Sequence, residues 1–214
     1  MKIFDIFPNP IFRETYSGNA DIKSSIVEMM EGTDMEKNGM SDNLFHYDNM
    51  RGQSFLHREE FNTLREWMEE QCSMFVSEVM GYQLPEKMIV TDSWLNICNA
   101  GGQQYPHYHT NSYISGTYYV NHEEGHAPLF FRHKDGATHS PTPSISLEAD
   151  RNKFGKYNCD VIIHPEEGEL LMWQSHLTHG YGGNQKDNRI SISMNFMPSL
   201  VANDKYSYRV FPSK

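Results

Sequence analysis

The sequence has no long apolar run and few basic residues. No stretch approaches the roughly 18 consecutive apolar residues of a membrane helix, and residues 1–10 lack the basic patch and cleavage site of a signal peptide. We therefore expect no membrane insertion and a cytoplasmic location. The 18 Lys and Arg residues against 28 Asp and Glu residues give a net charge of −10. This balance disfavours extended contact with nucleic acid, because such binding needs clustered cations.

Cysteine is also scarce, and glycine-rich phosphate-binding loops are missing. The three cysteines are widely spaced and form no CxxC motif, which excludes a disulfide framework and a thiolate zinc site; they are Cys72, Cys98 and Cys159. We expect them to be buried thiols. Neither a GxGxxG motif nor a Walker-type loop occurs in the sequence, so nothing in it supports a nucleotide-binding fold.

The 214 residues predict one domain, residues 1–214. Residues 1 to about 85 are interpreted as mixed loop and helix support, and residues 86–200 as the core that carries the chemistry. Apolar residues recur at helical spacing over 21–31 and, most clearly, over 58–80, where glutamates fill the opposite face. This spacing is typical of amphipathic helices. Residues 39–53 between them are predicted to form a loop.

After Pro85 the apolar pattern changes from helical to alternating. Six short segments rich in β-branched and aromatic residues are separated by Gly, Pro, Asn and Asp: 88–99, 113–121, 129–132, 160–164, 169–173 and 189–197. Such segments predict strands. A helical start followed by many short strands indicates a mainly β fold, a sandwich or barrel, with the amino-terminal helices packed on one outer face.

Histidines supply the main indication of chemistry. His107 and His109 flank one residue beside a predicted strand, and side chains two apart on an extended segment point to the same face. Together with the distant His179 they would form a three-ligand metal site with open coordination positions. An alternative ligand set begins at His109 and takes Asn111 as a weak oxygen ligand, which leaves His107 as a supporting residue.

An arginine follows this third histidine on the final strand. Arg189 lies ten residues beyond His179, and its guanidinium is suited to hold the far carboxylate of a dicarboxylic cosubstrate. Ser191, two residues further on, would add a hydroxyl group to the same carboxylate. The sequence pattern leaves open whether this face of the strand points into the barrel or to solvent.

Three motifs in this order carry a family resemblance. The stretch PHYHTNSYISGTYYV, then EEGELLMWQSHLTHGYGGN, then RISISMNF resemble the iron- and 2-oxoglutarate-dependent oxygenases of bacteria and their viruses, which are distantly related to prolyl hydroxylases. The resemblance extends from about residue 94 to residue 198. It implies a double-stranded β-helix, also called a jelly roll, and hydroxylation of a substrate coupled to decarboxylation of 2-oxoglutarate to succinate.

The resemblance also assigns residues to roles. It implies Fe(II) at His107, His109 and His179, and 2-oxoglutarate at Arg189 and Ser191. Tyr119 would add its hydroxyl group to the cosubstrate carboxylate, whereas Tyr118 would point to the opposite face of the strand and pack in the core. Most members of the wider superfamily have an Asp or Glu two residues after the first histidine. A histidine at this position leaves one more positive charge on the metal, which dianionic 2-oxoglutarate would offset.

Two other functions remain open at this stage. One is a three-histidine, cupin-like metal enzyme that does not use 2-oxoglutarate, and the other is a jelly-roll binding module without activity. The substrate, a small molecule or a peptide, is not specified by the sequence, and neither is the oligomeric state. The polar segment 133–157 is interpreted as a loop that folds over the barrel mouth and sets specificity. A further group of histidines is predicted to lie in solvated loop: His122, His126, His133 and His139.

Overall fold

The computed structural model describes residues 2, 4, 8–31, 36–37, 44–47, 54–132 and 160–212. The predictions for the loop 133–157, for His133 and His139, and for Cys159 lie outside these residues. The elements are, in chain order, β1 Phe12–Thr15, α1 Asn19–Met30, β2 Glu36–Lys37, β3 Leu44–Tyr47, α2 Asn62–Met74, β4 Met88–Cys98, β5 Gln104–His107, β6 Ile114–Asn121, β7 Leu129–Arg132, β8 Val161–Ile163, β9 Glu169–Gln174, β10 Thr178–Tyr181, β11 Arg189–Pro198, β12 Leu200–Ala202 and β13 Ser207–Arg209.

The two predicted helices are present. Ile22 and Ile26 of α1 are buried at a spacing of four residues, as the amphipathic pattern requires. The helix predicted over 58–80 is divided: a 3₁₀ turn over Glu59–Phe61 precedes α2, and a wider π-helical turn over Phe75–Val79 follows it. No helix among the described residues is long and apolar enough to span a bilayer.

The strands form two main antiparallel sheets. The seven-stranded sheet has the order β1-β9-β6-β11-β4-β3-β2, and the four-stranded sheet has the order β5-β10-β7-β8; β12 and β13 pair separately. The mainly β, jelly-roll class with flanking amino-terminal helices is confirmed. The prediction of loop over 39–53 is wrong at β3, whose backbone pairs with β4 from Leu44 opposite Cys98 to Tyr47 opposite Leu95. That pairing partner is about fifty residues away in the chain, so local composition does not reveal it.

The large sheet separates two environments. Side chains that alternate along β11 show the division: Ile190 and Ile192 belong to the main apolar core, together with buried residues of α1 and α2. Arg189 and Ser191 lie on the opposite face, where they line a cavity. The period of two in a strand therefore places the helices on one face of the sheet and leaves the other face for a polar site.

Two cysteines are buried and free, as predicted for thiols in a core. Cys72 lies on α2 and Cys98 at the end of β4. Burial raises the pKa of each thiol above its ordinary value. Neither is therefore a reactive thiolate at neutral pH.

Candidate active site

A cavity of about 340 Å³ lies between the two sheets, with residues of both sheets in its wall. Its lining combines imidazoles, aromatic rings, small polar side chains and a single charged group. The lining residues are Trp94, Asn96, Gln104, His107, His109, Gly116, Thr117, Tyr119, Leu129, Trp173, His179, Gly180, Tyr181, Arg189, Ser191 and Ser193. The only charged residue in that set is Arg189, so the cavity is matched to an anion.

Three histidines meet at one end of this cavity. One ring nitrogen from each of His107, His109 and His179 lies within 4.8 Å of the others. The ring centroids of His107 and His179 are 4.4 Å apart, and each is 5.3 Å from the centroid of His109. Two distant segments of the chain thus supply three imidazoles to one point, an arrangement that suits a transition metal ion.

Strand pairing sets this convergence. His107 of β5 lies directly opposite His179 of β10, and the register is irregular between His179 and Tyr181. Gly180 permits the close approach, because a Cβ atom there would lie 2.6 Å from the carbonyl oxygen of Gln104. His109 lies just beyond β5, where its backbone N–H donates to the carbonyl oxygen of Ser175. Position 180, next to His179, therefore requires a glycine.

Two of the three imidazoles, His107 and His179, share one pattern of hydrogen bonds. Nδ1 of His107 lies 2.9 Å from the carbonyl oxygen of Tyr105, and Nδ1 of His179 lies 2.8 Å from that of Leu177. A carbonyl oxygen only accepts, so each Nδ1 carries the proton and donates it. Each Nε2 then keeps its lone pair, which is the form that a metal ion binds.

Burial favours the neutral form of two of these rings, His109 and His179. It lowers the pKa of His179 to about 3, and the neighbouring imidazole of His107 contributes in the same direction. Burial likewise lowers the pKa of His109. Since a ligand imidazole must be unprotonated, both rings are ready for metal binding without the loss of a proton at neutral pH.

A second feature of the cavity is an unpaired guanidinium. Arg189 is 1% exposed, its Nε donates to the carbonyl oxygen of Ala127 at 3.1 Å, and its Nη1 has no hydrogen-bond partner. The guanidinium carbon lies 4.1 Å from the ring centroid of Tyr181 and 5.2 Å from that of Tyr119. Among the described residues no carboxylate pairs with it. Burial of a charge without an ion-pair partner is costly, which makes this guanidinium a candidate to bind an anion.

Tyr119 and Ser191 lie beside this guanidinium on neighbouring strands. They are directly opposite each other across β6 and β11, and both line the cavity. The hydroxyl group of Tyr119 is buried without a hydrogen-bond partner, and burial raises its pKa to about 12 although the charge of Arg189 opposes the shift. It therefore remains a neutral hydroxyl that can donate to an anion held by Arg189.

The structure brings all six predicted site residues into one cavity. The alternative ligand Asn111 is exposed and is absent from the cavity wall, whereas His109 is part of the histidine cluster. The prediction of solvated loop is wrong for His126, which is 5% exposed: its Nδ1 accepts from the backbone N–H of Glu123 and its Nε2 contacts the carbonyl oxygen of Asp187. Specific hydrogen bonds, which composition does not reveal, hold this ring inside.

Two further cavity residues, Trp173 and Tyr181, were not predicted as site residues from the sequence. The buried indole Nε1 of Trp173 has no hydrogen-bond partner, and its ring centroid lies 4.7 Å from that of His179. Tyr181 packs on the guanidinium of Arg189. The spacing of Tyr181 from His179 could have identified it. Tyr181 follows His179 by two residues on a strand, so the two side chains share one face.

Comparisons with solved structures bear on the fold. The chain shares its fold with the non-haem α-ketoglutarate-dependent epimerase SnoN of nogalamycin biosynthesis, at a TM-score of 0.63 and 11% identity over 90% of this chain and 80% of that chain. HygX from Streptomyces hygroscopicus, with nickel and 2-oxoglutarate bound, has a TM-score of 0.56 and 12% identity over 89% of this chain and 84% of that chain. A prolyl-4-hydroxylase from Pseudomonas putida has a TM-score of 0.57 and 10% identity over 88% of this chain and 92% of that chain.

A comparison with curated protein sequences finds no match for this chain. A family model does match: residues 92–195 correspond to the family described as "Putative 2OG-Fe(II) oxygenase". That segment contains the three histidines, Arg189, Ser191 and Tyr119. The family match confirms that the core of this chain resembles the 2OG-Fe(II) oxygenase family. The solved structures confirm that it has the jelly-roll fold of such oxygenases.

Proposed function

We propose that the protein is an Fe(II)- and 2-oxoglutarate-dependent dioxygenase that hydroxylates a small-molecule or peptide substrate. The observation that carries the proposal is the presence, in one cavity, of three imidazoles within 4.8 Å of one another and a buried guanidinium whose Nη1 has no partner. The first group suits a metal ion, and the second suits a carboxylate. Together they match a metal that works with a dicarboxylic cosubstrate.

The residues fit these groups. His107, His109 and His179 would hold Fe(II) through Nε2, because their Nδ1 atoms already donate hydrogen bonds. Arg189 would pair with the far carboxylate of 2-oxoglutarate, and Tyr119 and Ser191 would donate hydroxyl hydrogen bonds to it. An ionised partner strengthens such hydrogen bonds to about twice those between neutral groups. A dianion also offsets the charge that three neutral ligands leave on the metal.

Bound Fe(II) and 2-oxoglutarate supply the oxidation, in which dioxygen is consumed, 2-oxoglutarate is decarboxylated to succinate and a hydroxyl group enters the substrate. The protein contributes binding, orientation and exclusion of water. Arg189 and Tyr119 would orient the cosubstrate through its far carboxylate. Trp173 and Tyr181, 1% and 8% exposed, close the wall around it. Exclusion of water by a bound substrate and these rings would strengthen the electrostatic contacts that hold the cosubstrate.

Arg189 distinguishes this function from a three-histidine, cupin-like enzyme in which the substrate itself binds the metal. The latter needs no buried cation next to the metal site. A buried guanidinium without a counter-ion is expensive to keep, so its presence favours the reaction that uses a dicarboxylic acid. A binding module without activity would need neither the guanidinium nor the converging imidazoles.

The direct test is turnover of 2-oxoglutarate by the purified protein with Fe(II) and ascorbate. The substrate is unidentified, so succinate released without it and 2-oxoglutarate binding are measured together. We expect both in the wild type and neither in His179→Ala. Iron-loaded wild-type protein that neither binds 2-oxoglutarate nor releases succinate would contradict the proposal.

A further inference from the structure

The hydrogen bond of His109 differs from those of the other two histidines. His107 and His179 donate from Nδ1 to neutral backbone carbonyl oxygens. His109 instead has Nδ1 2.5 Å from the side-chain Oδ1 of Asn195. Asn195 is 2% exposed and lies on β11, on the same face as Arg189 and Ser191.

The orientation of the Asn195 amide is fixed by its neighbours. Nδ2 of Asn195 donates to Oδ2 of Asp92 at 3.0 Å, and an ionised carboxylate only accepts. Oδ1 therefore faces His109, and it also accepts from the hydroxyl groups of Ser112 at 3.1 Å and Ser115 at 3.3 Å. Because Oδ1 is an acceptor, Nδ1 of His109 must carry the proton. The Nε2 lone pair is then left for the metal.

A β-bulge in the pairing of β4 with β11 directs the side-chain amide of Asn195. Asn195 lies opposite Asp92 of β4, and the register shifts immediately after this pair. The extra residue is Thr91, whose hydroxyl group donates to the carbonyl oxygen of Asn195 at 3.2 Å. Bulges of this kind bend a strand and redirect a side chain next to a site. Here the bulge lies at the point where β11 passes the end of the cavity that holds His109.

We propose that Asn195 and Asp92 are positioning residues for the metal ligand His109, with Asp92 supplying through the Asn195 amide the negative charge that an aspartate ligand would supply directly. This inference rests on the proposed function, because it takes His109 as a ligand of the metal. An imidazole whose Nδ1–H is polarised by a carboxylate through an amide binds a metal more strongly through its Nε2 lone pair. An imidazole whose Nδ1–H donates to a neutral carbonyl oxygen binds it less strongly. Among the three ligands, only His109 is connected in this way within the described residues.

The test measures metal binding without 2-oxoglutarate, with Co(II) alone as the probe. The variants are Asn195→Ala, which removes the acceptor, and Asp92→Asn, which removes the charge and keeps the size. Asn121→Ala is the matched control, since Asn121 bonds to Lys23 and Asn188, contacts no histidine of the cluster and does not line the cavity. The dissociation constant is read by competition with a chromophoric chelator, and the visible spectrum of bound Co(II) reports ligand strength.

We expect the dissociation constant to rise about 10- to 100-fold in Asn195→Ala, the usual effect of removing such a support, and by a smaller factor in Asp92→Asn. The Co(II) spectrum should shift in both, and Asn121→Ala should match the wild type. Circular dichroism of the metal-free variants verifies that they fold; if Asn195→Ala does not, Asp92→Asn decides. Unchanged affinity and spectrum in the folded variants would overturn the inference. A wild type that binds no Co(II), or a His107→Ala variant that binds it equally well, would instead overturn the proposed function.

Discussion

Tyr118 and Tyr119 are adjacent in the chain, and their hydroxyl groups lie on opposite faces of β6 in different environments. The hydroxyl of Tyr118 donates to Oδ1 of Asn19 at 2.6 Å, beneath the amino-terminal helix α1. The hydroxyl of Tyr119 is buried beside Arg189 without a partner. Both side chains are fully buried. One hydroxyl group therefore belongs to the folded core, and the other is available to a ligand.

A matched pair of substitutions separates these roles. Tyr118→Phe should lower the free energy of unfolding by about 1–3 kcal/mol, since it leaves Oδ1 of Asn19 buried without a donor, and should leave 2-oxoglutarate affinity unchanged. Tyr119→Phe removes no hydrogen bond and should not lower the unfolding free energy, but it should weaken 2-oxoglutarate binding. Urea unfolding and calorimetric titration measure the two effects. If Tyr119→Phe destabilised the protein without changing affinity, its assignment to the cosubstrate would be wrong.

Arg189→Ala should weaken 2-oxoglutarate binding by about 1.5–3 kcal/mol, as expected for the loss of a hydrogen bond to a charged group. Co(II) or Mn(II) affinity should change little, because Arg189 donates to no histidine among the described residues. Arg209→Ala is the control, since Arg209 pairs with Glu86 on the surface. Calorimetric titration of the metal-loaded proteins gives the affinities. An Arg189→Ala variant with wild-type affinity would favour the cupin-like enzyme.

The long strands could be predicted from sequence because each contains its own signal. The predictions for β4, β6, β9 and β11 differ from the structure by one residue at most at any end, and the alternation within each segment is clear. β5 and β10 were missed. They contain Pro106 and Gly180 respectively, which weaken a local strand signal, and their extended form depends on pairing with each other across the site.

The residues proposed to hold the metal or cosubstrate were easier to predict than those proposed to support them. His107 and His109 have a recognisable spacing, and Arg189 follows at a spacing that the family motif shares. Asn195 has no such signal, since an asparagine in a strand is commonplace. Its role depends on the bulge opposite Thr91, and a bulge is a property of two paired strands that a single sequence does not display.

His122 should make the stability of the metal-free protein depend on pH. Burial, together with the charge of Arg189, lowers its pKa from 6.5 to about 4. Between pH 6.5 and 4, His122 therefore binds a proton more strongly in the unfolded chain than in the folded chain. The contribution of His122 is present above pH 6.5 and is lost as the pH falls toward 4.

His122→Gln removes this proton site and keeps a side chain of similar size. The decrease in unfolding free energy between pH 6.5 and 4 should therefore be shallower in His122→Gln than in the wild type. Urea unfolding at a series of pH values, with chelator present, gives the slopes. His176→Gln serves as the control because His176 is exposed and should keep the wild-type slope. Identical slopes in all three proteins would show that His122 titrates in the folded state as it does in the unfolded chain.

His179 and His176 provide the most direct comparison for the metal site, because they are three residues apart and only His179 faces the cavity. A metal that binds the folded state alone stabilises it by about 2.7 kcal/mol when its free concentration is 100 times the dissociation constant. Mn(II) should therefore raise the Tm of the wild type and of His176→Ala, and should leave that of His179→Ala unchanged. Differential scanning calorimetry with and without Mn(II) measures the shift. An equal rise in His179→Ala would mean that the stabilising ion binds elsewhere and that the three imidazoles are not its ligands.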